Sequence, residues 1–522
     1  MLRTRLYADP HGQFLHNVIL DSCRRFPQKT AIIDPSANRR LTYAEYGEIV
    51  EALARGFVAA GLQPGEVIAI FLANSWEFCA AYHAATLAGA IPTLLNPTYR
   101  EREVCYQLEN SGAVFLISDA PFVKDINLAG LQNLRRVFTT RQPAAGAEQF
   151  ADLLRPVTAS LPSPAQSPAA TLAALPYSSG TTGLPKGVML SHYNLVANVY
   201  QIVGPNASSF NYDDVLLCFL PLYHIYGLNV ALNPILALGA TLLLLPRFNV
   251  PQLLELLPQE NVSVMPVVPP ALNALSQAAE AGKFPKSHRL HWVKSGAAPL
   301  APELARRFTS LTGVLVCQGY GMTEASPVTH IGYLEPELYR PESIGQPVCQ
   351  TECRVVDELE ADVPAGSPGE LVMRGPQFML GYWKEPAATA AVLRDGWYWS
   401  GDIVSRDEQD FFFVLDRRKE MIKYKGFPVA PAEVESVLLE QPDVRDCGVI
   451  ARPSAEAGEI PCAFVVLREG VAGSQRLEQE ICGFVADRLT HYKQPREVHF
   501  VDAVPRTPSG KILRRELRKA LA

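Results

Sequence analysis

Short strand-like runs alternate with helix-like stretches along much of this chain, and this alternation limits the fold more than any other feature of the sequence. The strand-like runs are rich in β-branched residues: Val67–Leu72, Val114–Ser118, Val262–Val268, His291–Ser295 and Val314–Gln318. The alanine-rich stretch Glu77–Ala88 between the first two predicts a helix. Strands that alternate with helices form parallel sheets covered by helices on both faces. We therefore predict an α/β fold with doubly wound sheets.

The length of 522 residues predicts more than one domain. Near Asp416 the aromatic run Phe411–Leu415 gives way to a charged segment, after which a smaller α/β pattern begins. That pattern predicts helices at Glu433–Glu440 and Leu477–Leu489, with strands at Cys447–Ala451 and Ala463–Leu467 between them. We predict a large N-terminal domain, residues 1–415, that includes a β-barrel-like subdomain. A small mobile α+β domain, residues 416–522, follows it.

Composition excludes several functional classes. The net charge is -6, which gives no reason to expect a nucleic-acid partner, and basic residues cluster only locally, at Arg417–Lys425 and Arg514–Lys519. The ten cysteines are scattered, and the closest pair, Cys349 and Cys353, is not a CxxC motif. We therefore expect free thiols and no zinc site. The segment Pro156–Pro176, rich in proline, alanine and serine, predicts a surface connection.

No segment predicts a membrane anchor or a targeting signal. The start, MLRTRLYADPHGQ, lacks the apolar core of a secretory signal, and the last residues are not a peroxisomal SKL address. The long apolar run Leu228–Leu245 is interrupted by two asparagines, a proline and a glycine, so it predicts a buried helix followed by a buried strand. We expect a cytoplasmic protein without an integral membrane part, and a monomer and a homodimer both remain open.

The strongest motif is Tyr177–Gly187, with the sequence YSSGTTGLPKG. Small residues let backbone N–H groups approach an anion closely, hydroxyl groups add donors, and a lysine brings positive charge. The motif differs from the P-loop, because no GK[ST] follows the first glycine at the required spacing. It predicts a polyphosphate-binding loop with these contacts: Ser178, Ser179, Gly180, Thr181, Thr182, Gly183 and Lys186.

This motif resembles the phosphate loop of the adenylate-forming superfamily. The superfamily includes acyl-CoA synthetases, 4-coumarate–CoA ligases, beetle luciferases and peptide-synthetase adenylation domains. The match extends over essentially the whole chain, and LPYSSGTTGLPKGVMLSH is most similar to 4-coumarate–CoA ligases and fatty acyl-CoA synthetases. The resemblance implies an ATP-dependent acid–CoA ligase. It forms an acyl-adenylate and pyrophosphate from a carboxylic acid, and then an acyl-CoA and AMP.

Further motifs of the N-terminal domain resemble the family's nucleotide site. In QGYGMTE, the resemblance implies that Tyr320 stacks on adenine and that Thr323 and Glu324 meet the α-phosphate and Mg²⁺. A carboxylate with phosphate oxygens suits Mg²⁺. Asp402, in WYWSGDI, would bind the ribose hydroxyls, with Ser400 in place of the usual threonine. The resemblance also implies nucleotide contacts by Gly296, Ala297 and Ala298, in SGAAP, and by Gln318, Gly319 and Gly321, in QGYGMTE.

The C-terminal motifs resemble the family's moving parts. Arg417 would complete ribose binding, and Lys419 stands at the family's hinge. Lys423, Lys425 and Gly426 would belong to the face that is used for thioester formation with coenzyme A, although Pro428 replaces a common glutamine there. In PRTPSGKIL, Lys511 resembles the family's catalytic lysine, which would bridge the acid, ribose and α-phosphate.

The acid pocket is expected beside His224, in PLYHIYG, whose imidazole can hydrogen-bond a carboxylate. By motif position its walls are Ile225, Tyr226, Val230, Lys294, Ala297, Gly319, Gly321, Pro327, Val328 and Ile331. Apolar and small residues favour an aryl or alkyl tail. Hydroxycinnamates and medium- or long-chain fatty acids both remain open, and Lys294 could bond a ring hydroxyl or cap the pocket.

Three alternatives share parts of this pattern. An acyl-AMP ligase that loads a carrier protein would make no CoA thioester. A luciferase-like oxygenase would consume oxygen after the adenylation step. A pseudoenzyme would bind ligands without turnover, but the presence of Lys186, Glu324, Asp402, Arg417 and Lys511 argues against it.

Overall fold

A computed structural model of the chain describes residues 12–164, 166–178, 185–204, 210–417, 420–424, 427–454, 457–507 and 510–521, and it confirms the predicted alternation. The first elements are α1 (Leu15–Arg25), β1 (Thr30–Asp34), β2 (Arg39–Thr42), α2 (Tyr43–Ala59), β3 (Val67–Phe71), α3 (Trp76–Leu87), β4 (Ile91–Leu94), α4 (Glu101–Ser111), β5 (Ala113–Asp119), α5 (Ala120–Val123), β6 (Arg136–Thr140) and β7 (Glu148–Gln149).

The middle of the chain continues the pattern. Its elements are β8 (Leu172–Ala174), β9 (Tyr177–Ser178), β10 (Lys186–Ser191), α6 (His192–Val203), β11 (Val215–Cys218), a π-helix (Gly227–Leu232), α7 (Asn233–Leu238), β12 (Thr241–Leu244), α8 (Val250–Gln259), β13 (Val264–Val267), α9 (Pro269–Glu280), β14 (Trp292–Ser295), α10 (Pro302–Thr312), β15 (Val316–Gly321) and β16 (Val328–Ile331).

The remaining elements are mostly strands. They are β17 (Gln346–Pro347), β18 (Glu352–Val356), β19 (Gly369–Arg374), β20 (Gly381–Tyr382), α11 (Pro386–Val392), β21 (Leu393–Arg394), β22 (Trp397–Arg406), β23 (Phe412–Arg417), β24 (Ile422–Tyr424), β25 (Phe427–Val429), α12 (Pro431–Leu439), β26 (Val444–Ser454), β27 (Gly458–Leu467), α13 (Gln475–Ala486), β28 (Glu497–Phe500) and α14 (Arg514–Lys519).

Two largely parallel sheets form the N-terminal domain. Within the described residues, the larger sheet has nine strands in the order β17-β16-β15-β14-β13-β11-β12-β1-β2, and β1 and β11–β15 run parallel. The second sheet, β4-β3-β5-β6-β7, is parallel throughout. Helix α3 packs between layers so completely that Trp76–Thr86 are all buried, and the Ser75 hydroxyl caps its start.

Antiparallel strands complete this domain and correspond to the predicted β-barrel-like part. Strands β18, β19, β21, β22 and β23 make one sheet, and β8, β9, β10 and β20 another. Strand β22 pairs with β19 along one edge and with β23 along the other, and the pairing with β23 brings Asp402 opposite Arg417.

The small C-terminal domain has its own sheet, β25-β24-β27-β26, with β28 parallel to β27. The buried apolar side chains of the N-terminal domain form a large cluster between Leu15 and Phe412 and a smaller one between Val67 and Leu175, whereas the C-terminal clusters draw on residues from Ile422 onward. Each domain therefore buries a separate apolar core, as independent folding units do.

The apolar run Leu228–Leu245 is buried, as predicted, and divides into the π-helix, α7 and β12. Among the described helices, none combines the length and the apolar character that crossing a membrane requires. One expectation needs correction. The connection Pro156–Pro176 ends in the buried strand β8, because that strand pairs with β10. The predicted strand Val314–Gln318 corresponds to β15, which continues to Gly321.

Candidate active site

A cavity opens at the carboxyl ends of β14 and β15, the edge where parallel α/β sheets bind ligands. Its empty space, including the open mouth, is about 710 Å³. Most residues predicted for the acid and nucleotide sites line it: His224, Ile225, Tyr226, Val230, Lys294, Gly296, Ala297, Gly319, Tyr320, Gly321, Thr323, Pro327, Val328, Ile331 and Lys511. Sequence reasoning missed four further wall residues, Ile202, Phe210, Trp292 and Met322.

Two glycines allow the walls of the cavity to approach each other. A Cβ atom on Gly296, just after β14, would lie 3.0 Å from the ring of Tyr226. A Cβ atom on Gly321, at the end of β15, would lie 2.0 Å from the carbonyl oxygen of Pro327. The Tyr226 hydroxyl donates to the carbonyl oxygen of Lys294 at 3.1 Å, which fixes the ring as a cavity wall.

His224 faces Lys511 across the cavity. The backbone N–H of Tyr226 donates to Nδ1 of His224 at 3.2 Å, so Nε2 carries the proton of the neutral imidazole. Burial, and then the nearby Lys511 charge, lower the pKa of His224 to about 4. Near pH 7 this side chain is therefore a neutral hydrogen-bond donor beside a lysine ammonium group.

Lys294 adds a second amine to the cavity. The residue is only 6 % exposed, and its Nζ lies 4.8 Å from the centre of the Trp292 ring. Burial lowers the pKa of this lysine. An ammonium group over an aromatic face gains a cation–π attraction that offsets part of its lost hydration. Lys294 can thus donate a hydrogen bond inside an otherwise apolar wall.

The residues expected to bind adenine and ribose are joined directly. The hydroxyl of Tyr320 donates to a carboxylate oxygen of the buried Asp402. The backbone N–H of Asp402 donates to the Ser400 hydroxyl at 3.1 Å, and that hydroxyl donates to the Leu371 carbonyl at 2.7 Å. Ser400 therefore supplies the hydroxyl that the usual threonine would supply, and it fixes the position of Asp402.

Glu324 stands next to the cavity in a cluster of hydroxyl groups. Its Oε1 accepts hydrogen bonds from Ser178 at 3.1 Å and from Tyr382 at 2.8 Å. The Nζ of Lys186 lies 5.4 Å from the centre of the Tyr382 ring. The end of the phosphate motif and the proposed metal-binding carboxylate thus meet at Tyr382. Sequence reasoning missed this tyrosine, since the motif GYW alone gives it no role.

The arrangement around Glu324 fits Mg²⁺. This cation prefers oxygen ligands and uses one or two carboxylates together with phosphate oxygens, and Glu324 supplies a carboxylate at the start of the phosphate motif. One other group of metal-binding side chains occurs among the described residues, Cys462, Glu497 and His499. The Glu497 carboxylate is already paired with Arg452, and none of the three lines the cavity.

Two buried asparagines hold the wall that contains Pro327 and Val328. Asn198, on α6, accepts from the Val328 N–H at 3.1 Å and donates to the Val328 carbonyl at 2.8 Å. Asn229, in the π-helix, donates to the Ser326 carbonyl at 2.6 Å. Side chains far apart in sequence therefore fix both ends of this short segment.

The loop that ends in Lys511 touches both domains. The Thr507 hydroxyl accepts from the Lys511 N–H at 3.1 Å, and the Thr507 N–H donates to the Lys511 carbonyl at 2.8 Å. Gly510 adopts a positive φ of 85°, and a Cβ atom there would lie 3.2 Å from Pro270. Thr507 and Lys511 are thus bonded to each other, and Gly510 rests against the start of α9.

Several predicted site residues lie elsewhere. The Gln318 amide accepts from Leu300 N–H and donates to the Pro341 carbonyl, so it braces backbone and does not line the cavity. Ala298 does not line the cavity either, and Lys423 is exposed on β24. Other predicted site residues lie outside the described residues: Ser179, Gly180, Thr181, Thr182, Gly183, Lys419, Lys425 and Gly426. For Arg417 and Pro428 the structure describes the backbone alone.

Comparison with known proteins finds relatives that match this chain over nearly its whole length. The chain is 39% identical over 516 residues to 4-coumarate–CoA ligase 1 of Solanum tuberosum, a match that covers 97% of this chain and 94% of that protein. It is 38% identical over 521 residues to 4-coumarate–CoA ligase of Pinus taeda, which covers 97% of this chain and 95% of that protein.

Solved structures agree with this likeness. The anthranilate CoA ligase AuaEII in complex with anthranoyl-AMP has a TM-score of 0.90 at 26% identity, over 98% of this chain and 97% of that one. A benzoate CoA ligase from Burkholderia xenovorans has a TM-score of 0.88 at 26% identity, over 97% of this chain and 100% of that one.

Family models cover the parts of the chain that build the site. The model described as AMP-binding enzyme matches residues 19–383, which include all the cavity residues except Lys511. The model described as AMP-binding enzyme C-terminal domain matches residues 433–511 and ends on that lysine. The cavity and the loop that reaches into it are therefore parts of one known arrangement, and the chain belongs to the AMP-binding enzyme family of adenylate-forming enzymes.

Proposed function

We propose that this protein is an ATP-dependent, AMP-forming acid–CoA ligase. The observation that carries the proposal is the meeting of His224, Tyr320 and Lys511 in one largely apolar cavity. An apolar pocket with a few convergent polar groups is typical of a small-molecule site. The two 4-coumarate–CoA ligases that share 38–39% identity with the chain point to the same activity.

In the first step, an oxygen of the acid carboxylate attacks the α-phosphorus of ATP, and the bond to the β-phosphate oxygen breaks to release pyrophosphate. Both reactants are anions, so positioning and charge neutralisation govern the rate. The Nε2–H of His224 donates to the carboxylate, and the Lys511 ammonium group neutralises charge between the acid and the α-phosphate. The phosphate motif from Ser178 to Lys186 holds the departing pyrophosphate.

Tyr320 and Asp402 hold the adenosine, with Tyr320 stacked on the base and Asp402 bonded to the ribose hydroxyls. Their mutual hydrogen bond aligns the two contacts. Thr323 approaches the α-phosphate. Glu324 would hold the Mg²⁺ that arrives with ATP, and that ion would supply positive charge against the phosphate oxygens. Arg417, on the strand that pairs with Asp402, completes the ribose contact.

In the second step, the thiol sulfur of coenzyme A attacks the acyl carbon of the adenylate, AMP leaves, and the thiol proton is released. We assign the face containing Lys423, Lys425 and Gly426 to this step. The domain boundary lies at about Asp416, and Lys419 is the hinge about which the small domain turns between steps. The separate apolar cores of the two domains support such a rigid-body motion.

The acid has an apolar aryl or alkyl body. The walls around Tyr226, Val230 and Val328 favour such a body, and Lys294 can donate to an acceptor on it. The relatives make a hydroxycinnamate the first acid to test. A medium-chain fatty acid is the comparison, because it fills the same apolar walls without offering Lys294 a hydroxyl group.

The test is acid-dependent exchange of labelled pyrophosphate into ATP across a panel of 4-coumarate, cinnamate, benzoate and octanoate, followed by thioester formation with coenzyme A. We expect exchange with at least one of these acids and an acyl-CoA product. Exchange without a CoA thioester would contradict ligation to CoA. The absence of exchange with every acid of the panel would contradict the proposed reaction itself.

A further inference from the structure

Arg506 lies five residues before Lys511 and makes two kinds of contact at once. Its Nη1 donates to the carbonyl oxygen of Gly510 at 2.9 Å. Its Nη2 donates to Oδ1 of Asp446 at 2.7 Å, and its Nε lies 3.4 Å from Oδ2 of the same carboxylate. A guanidinium group has donors in a fixed planar fork, so one arginine can hold both partners in a defined geometry.

The two partners have different roles. Asp446 belongs to β26, the strand that pairs with β27 across the C-terminal sheet, and it is therefore a fixed point of that domain. The Gly510 carbonyl belongs to the peptide group whose N–H is that of Lys511. That N–H is in turn bonded to Thr507. Arg506 thus ties the peptide plane in front of Lys511 to the sheet.

The hydrogen bonds of Arg506 lie where the loop that contains Gly510 and Lys511 meets the N-terminal domain. Gly510 rests against Pro270, and the Lys511 side chain next to it enters the cavity opposite His224. The side chains of Arg506 and Asp446 are 22% and 32% exposed, so solvent screens their attraction only in part. The contact can therefore restrict the loop without being part of the domain's apolar core.

We propose that Arg506 is a positioning residue for adenylation: by linking Asp446 to the Gly510 carbonyl, it sets the direction in which Lys511 enters the cavity. This inference rests on the proposed function. It assigns Arg506 no contact with substrate. It also assigns the residue no part in thioester formation, because we assign that step to the face containing Lys423, Lys425 and Gly426.

The test measures the two half-reactions separately on the full chain, with an acid that supports exchange by the unaltered protein. For Arg506→Ala we expect pyrophosphate exchange to fall about 10- to 100-fold, since small displacements of a catalytic group have effects of this size. Thioester formation from supplied acyl-adenylate and CoA should stay within about twofold. Arg506→Lys should lose less exchange activity, because one ammonium group keeps one of the two contacts.

The matched control is Arg452→Ala. Arg452 also pairs with a carboxylate on the C-terminal sheet, that of Glu497, and it has no hydrogen bond to Thr507, Gly510 or Lys511, the residues of the lysine loop that the structure describes. Neither half-reaction should change in this variant. Unchanged exchange in Arg506→Ala would overturn the inference, and so would an equal loss of both half-reactions, which indicates a general structural role. A lack of exchange by the unaltered protein would overturn the proposed function and this inference together.

Discussion

Individual buried histidines make the protein sensitive to acid. Burial lowers the pKa of His330 to about 3 and that of His16 and His83 to about 4. In an unfolded chain these groups titrate near 6.5. Between pH 6.5 and pH 4 the unfolded state therefore binds more protons than the folded state, and stability falls as the pH falls.

His330→Gln tests this at one position. We expect the urea concentration at half-unfolding to decrease for the unaltered protein as the pH is lowered from 6.5 to 5, and to decrease less steeply for the variant. Removing one imidazole of this kind eliminates about 2 kcal/mol of acid-induced destabilisation at pH 5. Between pH 7 and pH 8 the urea concentration at half-unfolding should change with pH equally in the two proteins. An identical slope below pH 6.5 would contradict a neutral buried imidazole at this position.

At the same scale, some site residues could be predicted and others could not. Tyr320, His224 and Lys511 stand in motifs that resemble those of the adenylate-forming family, the resemblance implied their roles, and all three line the cavity. Tyr382 acts through one hydroxyl that reaches a carboxylate 58 residues earlier in the chain. Such a contact depends on how β20 lies against the rest of the domain, and no local pattern of residues contains that information.

Among the elements, α6 has a function in addition to covering the sheet. Its residue Asn198 bonds both backbone groups of Val328, just as a neighbouring strand would. The helix thereby fixes a wall of the cavity, which we propose to be the acid pocket. Loss of these two bonds leaves buried backbone groups without partners, which raises the free energy of the folded wall.

For Asn198→Ala we therefore expect the KM for the acid to rise roughly 10-fold, with the KM for ATP within about twofold of its original value. Steady-state kinetics with each substrate varied in turn provides the measurement. Ser22→Ala is a matched control, because Ser22 also bonds a backbone carbonyl, that of Ala237, at a site outside the cavity lining. It should alter neither KM. An equal rise of both KM values in Asn198→Ala would argue against a specific effect on the acid pocket.

The strands and helices that local sequence patterns predicted lie close to the predicted positions, although many other elements were not predicted. The run Val67–Leu72 corresponds to strand Val67–Phe71, because β-branched residues in a buried parallel strand form a continuous apolar run. Strand β8 was missed, since three small apolar residues in a segment rich in proline and serine carry no strand signal. It exists because β10 offers it partners. Tertiary pairing can impose a strand where local propensity is weak.

At the level of the whole molecule, the proposed mechanism requires two arrangements of the small domain. In the arrangement described above, Lys511 is in the cavity and Lys423 is not. The lysine should therefore matter for only one of the two steps, although its domain takes part in both.

Lys511→Ala should slow acid-dependent pyrophosphate exchange by at least ~10²–10³-fold, the effect typical of losing one preorganised donor. The same variant should still convert supplied acyl-adenylate and CoA to the thioester. Single-turnover measurements of each half-reaction provide the comparison. Near-normal exchange would contradict the assignment of Lys511, and the loss of both half-reactions would argue against alternation of the small domain.

The meeting of His224 and Lys511 also has a consequence during protein synthesis. More than half of the chain separates these two residues, and their contact requires that both domains have already folded. Domains generally fold in order from the N-terminus as the ribosome releases them. A nascent chain with a finished N-terminal domain is therefore expected to bind the acid and ATP of the proposed reaction without consuming them, and turnover is expected only after the segment that contains Lys511 has emerged and folded.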